Sequence, residues 1–106
     1  MPAIHLIKKI EGGLPHIVPL PGEPNGYSSG FWTLSEKKAR SFLGGKIYFH
    51  EHQRDPSLYG GEIVDADLTR EGEYRGKIVF KLIFSADCRG VRTSNDGWSQ
   101  EMKFVL

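Results

Sequence analysis

Hydrophobic and polar residues alternate along several stretches of the 106-residue chain. Lys46-Ile-Tyr-Phe-His50 sets Ile47 and Phe49 on one face, Tyr48 and His50 on the other. Glu62 to Leu68 sets Val64, Ala66 and Leu68 inward, with Asp65 and Asp67 outward. Lys77 to Ala86 aligns Ile78, Phe80, Leu82, Phe84 and Ala86, and Val79 and Ile83 make its second face partly apolar. Period two is the strand repeat, and an apolar second face predicts a central, bent strand. Further strands are predicted near Ile4 to Ile10, in the segment that ends at Phe31-Trp32 before the helix, and near Met102 to Leu106. Turn chemistry separates these runs, at Arg54-Asp-Pro-Ser57, Gly60-Gly61, Arg70-Glu-Gly-Glu73 and Asn95-Asp-Gly97.

One stretch has helical spacing instead. Ser35 suits an N-cap, and Glu36 suits the positive end of the helix dipole. Ala39, Phe42 and Leu43 recur on one side, and Gly44 supplies a left-handed stop. The predicted helix, about 35–43, is too short to stand alone and must dock on a sheet. Gly and Pro crowd residues 11–30, which reads as an extended arm rather than helix or central strand. Leu14, Ile17, Val18 and Leu20 would pin that arm to the body. Its Pro21-Gly-Glu-Pro24 matches a PxxP ligand but lacks a basic anchor nearby. Together these elements predict an α+β, mainly β, single domain over residues 1–106, a small barrel or strongly bent sheet with one short helix.

Composition excludes more than it asserts. The chain is 39% hydrophobic and 25% charged, as in ordinary soluble domains. A lone Cys88 cannot form an intramolecular disulfide, so a stapled secreted scaffold is excluded. The N-terminal residues resemble neither a signal peptide nor a membrane span, and a cytoplasmic setting is expected. Fourteen basic residues against 13 acidic leave a charge of +1, but the sum hides a pattern. Residues 36–54 and 75–92 are basic, the latter through Arg75, Lys77, Lys81, Arg89 and Arg92, while residues 62–73 are acidic. A positive face forms if the two basic stretches meet.

Candidate chemistry is sparse. His50-Glu-His52, if extended, sets two imidazoles on one face about 7 Å apart, near enough to share a metal, with His5, His16, Asp55 or Cys88 as third-ligand candidates that no spacing links to them. Cys88 beside Arg89 is a conceivable Cys-His nucleophile, although isolated cysteines are mostly small buried hydrophobes. Asp65 and Asp67 share a face, which an acidic wet edge explains. The aromatics are more informative. Trp98 lies in a polar Gly97-Trp-Ser loop, and alternation lets only one of Phe31 and Trp32 point inward. Rings beside Lys and Arg can stack nucleobases.

The order of elements resembles the PUA-like superfamily, in its EVE, ASCH and YTH-like members, over roughly residues 30–92. The residues that carry it are Gly30-Phe31-Trp32 before a helix, Gly45-Lys-Ile-Tyr-Phe-His50, Gly61-Glu-Ile-Val-Asp65, and the strand from Lys77 to Phe84. The resemblance implies a small barrel that binds RNA or a modified base, with Trp32 and Tyr48 as pocket rings and Lys46 and Arg89 as backbone contacts. The ASCH signature Gly-x-Lys-x-x-Glu-x-Arg is absent, and the Pro-rich arm has no counterpart.

The leading expectation is therefore a non-catalytic nucleic-acid-binding domain using Trp32, Lys46, Tyr48, His50, Arg89 and Trp98, with no cofactor and no metal. The alternative is a protein-interaction or small-ligand module that uses the arm or an edge strand. A third reading is a small enzyme using His50, His52 or Cys88. No membrane partner is expected.

Overall fold

The computed structural model describes residues 2–7, 10–11, 14–15, 18–99 and 102–105. Its strands are β1 (Ala3–Ile7), β2 (Ile10–Glu11), β3 (Leu14–Pro15), β4 (Val18–Pro19), β5 (Gly26–Trp32), β6 (Lys46–His50), β7 (Tyr59–Leu68), β8 (Ile78–Phe84) and β9 (Met102–Val105). Helix α1 (Glu36–Arg40) precedes β6, and a 3-10 turn, Ala86–Cys88, follows β8. Seven strands form one mixed sheet in the order β4-β5-β8-β7-β6-β1-β9, while β2 and β3 pair separately. β1 runs parallel to β6, and the other pairings are antiparallel. The mainly β class holds. The sheet is open, with β4 and β9 at its edges, so the closed barrel is not what forms. No helix among the described residues is long and apolar enough to cross a membrane.

The core lies on one face of this sheet. Ile4 and Leu6 of β1, Ile47 and Phe49 of β6, and Ile78, Phe80 and Leu82 of β8 are all buried there. Helix α1 caps this layer through Ala39, and Phe42 just beyond it meets Phe104 at 5.3 Å between ring centres. Ser35 accepts from the Lys38 backbone N–H at 3.1 Å, the expected N-cap. Gly44 is left-handed as expected, at φ +82°, but it does not stop the helix, which already ends at Arg40 with Ser41 as its C-cap. The helix itself is only five residues long, shorter than the 35–43 span.

Three expectations change. Residues 11–30 are not wholly an arm: β4 and β5 form a hairpin closed between Leu20 N–H and the Gly26 carbonyl at 2.9 Å, and Gly26–Gly30 lie inside the sheet. Gly12, Gly13, His16 and Ile17 lie outside the described residues. Interior strand is tolerated here because the prolines sit in the edge strand and the turn, where a missing N–H costs no ladder bond. At Ser29 the β5–β8 register shifts, and Ser29 Oγ repairs the gap by accepting the Phe80 N–H at 2.9 Å. Second, Val64 is 47% exposed, not inward, because the β7–β8 register shifts between Ile63 and Asp65. One extra residue reverses the faces, and Ile63 takes the buried position. Third, Trp32 is the inward ring of its pair, 1% exposed in the core, while Phe31 stacks on Tyr74 at 4.1 Å.

Candidate functional site

The opposite face of β9, β1, β6 and β7 carries a different set of residues. Alternation that buries Ile4, Leu6, Ile47 and Phe49 turns His5, Tyr48, His50 and Lys103 the other way. The ladder places Lys103, His5, Tyr48 and Gly60 side by side across four strands. Polar and aromatic residues on a strand's second face ordinarily meet water. Here the chain after β8 folds back and covers them.

Gly60 permits that cover. A Cβ at Gly60 would sit 2.0 Å from the Ile47 carbonyl oxygen and 3.0 Å from Cys88 Cβ. The bare backbone lets the 3-10 turn close over β7. Ser57 pins the same turn: its Oγ donates to the Cys88 carbonyl at 2.5 Å and accepts the Val91 N–H at 2.9 Å. Gly60→Ala is expected to destabilise the fold by about 1–3 kcal/mol, as overpacking does, and to raise the reactivity of the buried Cys88 thiol. Chemical unfolding and thiol-labelling rates check this; an unchanged labelling rate would mean that the turn does not depend on the gap.

The centre of the covered face is a pair of imidazoles. His5 Nδ1 and His50 Nε2 are 2.8 Å apart, and both residues are buried. His50 Nδ1 lies 2.9 Å from the Asp55 carbonyl oxygen. A carbonyl only accepts, so Nδ1 of His50 carries the proton and its Nε2 is bare. It follows that His5 donates through Nδ1, and that its own Nε2 presents a lone pair. Burial, the neighbouring His50 and the Lys103 ammonium hold His5 down at about 4, so it is neutral at physiological pH. Burial also lowers His50, partly opposed by its bond to Asp55.

Rings enclose this pair. Tyr48 stacks on His5 at 4.7 Å and 18°. Trp98 stands edge-on to His5 at 6.2 Å and to His50 at 5.6 Å. Tyr48 and Trp98 each keep part of their surface in solvent. The indole Nε1–H of Trp98 is buried and has no hydrogen-bond partner among the described residues. Burial and the nearby Cys88 push the Tyr48 hydroxyl up, and burial pushes the Cys88 thiol up despite the pull of Lys46. A thiol so placed is poorly suited to act as a thiolate nucleophile.

The two basic stretches approach each other at two points. Arg92 reaches the Arg54 carbonyl at 3.5 Å, and Lys46 lies close enough to Cys88 to act on its thiol. Arg89, next to Cys88, is exposed. Of the residues singled out from sequence, Tyr48, His50 and Trp98 thus join one ring cluster, with Lys46 on the same face of β6, while Arg89 lies beyond Cys88 at the surface. Trp32 does not belong: it sits in the core on β5. His52 does not join His50 either, because the strand ends at His50 and His52 is exposed in the following bend. His5 takes its place, a residue that sequence reasoning offered only as one of four possible third metal ligands and not as a member of the binding face. The Ile4-His5-Leu6 alternation carried the signal, since it puts an imidazole on the second face of a buried strand. Among the described residues no group of three or more His, Cys, Asp and Glu gathers around one point.

Against this geometry, comparison with known proteins adds no name: no family model, no curated protein and no solved structure matches the chain.

Proposed function

We propose that this domain binds nucleic acid, RNA or an unusual base, through the face that carries His5, Tyr48, His50 and Trp98. The observation behind the proposal is the partly exposed rings of Tyr48 and Trp98 against the imidazole pair, with Lys46 on the same face of β6 and Arg92 touching the Arg54 carbonyl across the two basic stretches. Partly exposed rings offer stacking surfaces worth about 1–3 kcal/mol per base, and the cations beside them offer phosphate contacts. Glu51 and Asp87 interrupt the basic segments, which limits the field and favours short ligands over long polyanions. A distant relation to PUA-like domains belongs to the same proposal, with an open sheet in place of their barrel. So does a reducing cytoplasmic setting, which suits a free thiol at Cys88.

Anisotropy of labelled RNA, single-stranded DNA and base-modified duplexes tests the reading. Binding is expected at low salt and to weaken steeply as salt rises, because phosphate contacts release counterions. Trp98→Ala is expected to weaken it by about tenfold or more, the value of one lost stack. If no nucleic acid binds at low salt, the proposal fails.

One observation favours a second reading. β9 is an edge strand, and it borders an open groove of about 620 Å³ lined by Thr33, Leu34, Ser35, Lys38, Met102 and Phe104. An extended peptide could add to such an edge. Insensitivity of ligand capture to Trp98→Ala, with loss on substitution in this groove, would favour that reading.

A further inference from the structure

Lys103 is 6% exposed, and it stands opposite His5 in the β9–β1 ladder. Its stem passes Gly97, where a Cβ would meet Lys103 Cε at 3.6 Å. The ammonium ends at Ser94 and donates to the carbonyl at 2.7 Å and to Oγ at 2.9 Å. An ammonium has three N–H donors, so one is left over. No carboxylate among the described residues pairs with it; the ion pairs there join Arg40 to Glu36 and Asp65, and Lys81 to Asp67. The stem is buried and the ammonium sits part-buried at the exposed Ser94, so a charged ligand can reach it from solvent.

Two further groups around the same turn lack what an anion would provide or complete. The Trp98 indole N–H is buried and has no acceptor among the described residues. A buried donor left so costs about 1–3 kcal/mol. His5 presents Nε2 as a lone pair that no described residue engages. The groups that face His5 are Lys103 from β9, Tyr48 and His50 from β6, and Trp98 from the turn. None of them is a carboxylate.

We propose that Lys103, Trp98 and His5 form a binding site for a compact oxyanion, a phosphate or carboxylate group. Lys103 supplies the charge and its third donor, and Trp98 supplies a neutral donor. His5 completes the set by taking up a proton with the anion, at which point Nε2 becomes a donor too. Binding and protonation are then linked, so the anion binds more tightly as pH falls toward the His5 titration. Free phosphate, a terminal phosphate of a nucleic acid and a small carboxylate share this chemistry. The site stands on its own residues and does not require the nucleic-acid reading.

The test follows the Trp98 indole N–H and the His5 imidazole by NMR while inorganic phosphate is added to the intact chain. Chloride at matched ionic strength is the control, and the titration is run at neutral and mildly acidic pH. Acetate and an oligonucleotide with or without a 5′-phosphate distinguish the sources. Phosphate, but not chloride, is expected to move both signals, to raise the His5 titration from about 4, and to bind more tightly at the lower pH. Lys103→Gln is expected to abolish the response, and Lys103→Arg to keep it. Trp98→Phe, which preserves the ring, is expected to weaken binding by about tenfold, as loss of a hydrogen bond to a charged group does. Signals that respond to phosphate no more than to chloride would overturn the site in the unmodified chain, whatever the variants do. A Lys103→Gln protein that binds as before would overturn it as well. Phosphate binding without any nucleic-acid binding would sink the proposed function alone; the reverse would sink this site alone.

Discussion

Trp32→Ala is expected to lower folding stability by about 3–5 kcal/mol, the range for emptying a large aromatic site in a packed core. The ring is 1% exposed, and its residue, the last of β5, pairs with the buried Ile78 that begins β8. A loss of this size is a large share of the roughly 5–15 kcal/mol that holds a small domain together. Denaturant midpoints at constant slope measure it. The milder Trp32→Phe is expected to cost less and to leave ligand binding unchanged, because the site lies on the other face of the sheet. A loss below about 1 kcal/mol for the alanine variant would place the ring at the surface instead of the core.

Acid is expected to unfold the domain through its histidines. In the unfolded chain His5 protonates near its ordinary 6.5, whereas the folded imidazole stays neutral to about 4. Between those values the unfolded state binds a proton that the folded state refuses, so stability falls as pH drops through the window. His5 contributes about 3 kcal/mol of that loss, and His50, lowered in the same direction, adds to it. The loss is complete near the folded titration and absent above pH 7. His5→Asn cannot titrate, and its amide retains a donor toward His50, so its stability is expected to vary less with pH across this range. Unfolding curves at several pH values check this. Equal slopes for the two proteins would contradict the buried neutral pair.

What the sequence made legible followed from period and turn chemistry. Ile47 and Phe49, and Ile78, Phe80 and Leu82, announced their burial by strict alternation. Ser35 marked where the helix begins, and Gly44 the left-handed turn that sends the chain into β6. The failures have local physical causes. Val64 was misplaced because a bulge is invisible to a count of two, and the Gly26–Gly30 part of β5 was read as arm because its glycines lower strand propensity without forbidding pairing. The site was half legible. Tyr48, His50 and Trp98 stood out as ring-bearing residues at polar positions, but their meeting depends on the fold-back of residues 85–99. Nothing in local pattern reports that return, nor the 45-residue separation across which His5 meets His50. The open sheet likewise depends on which edges pair, which alternation leaves free.

The central claim is that the ring face beside the imidazole pair holds the ligand. Amide and side-chain shift mapping during titration with a short RNA at low salt tests it most directly. His5, Lys46, Tyr48, His50, Arg89 and Trp98 are predicted to move together, while Thr33, Leu34, Lys38 and Phe104 stay still. Shifts confined to the groove beside β9, or no shifts at all, would contradict the account.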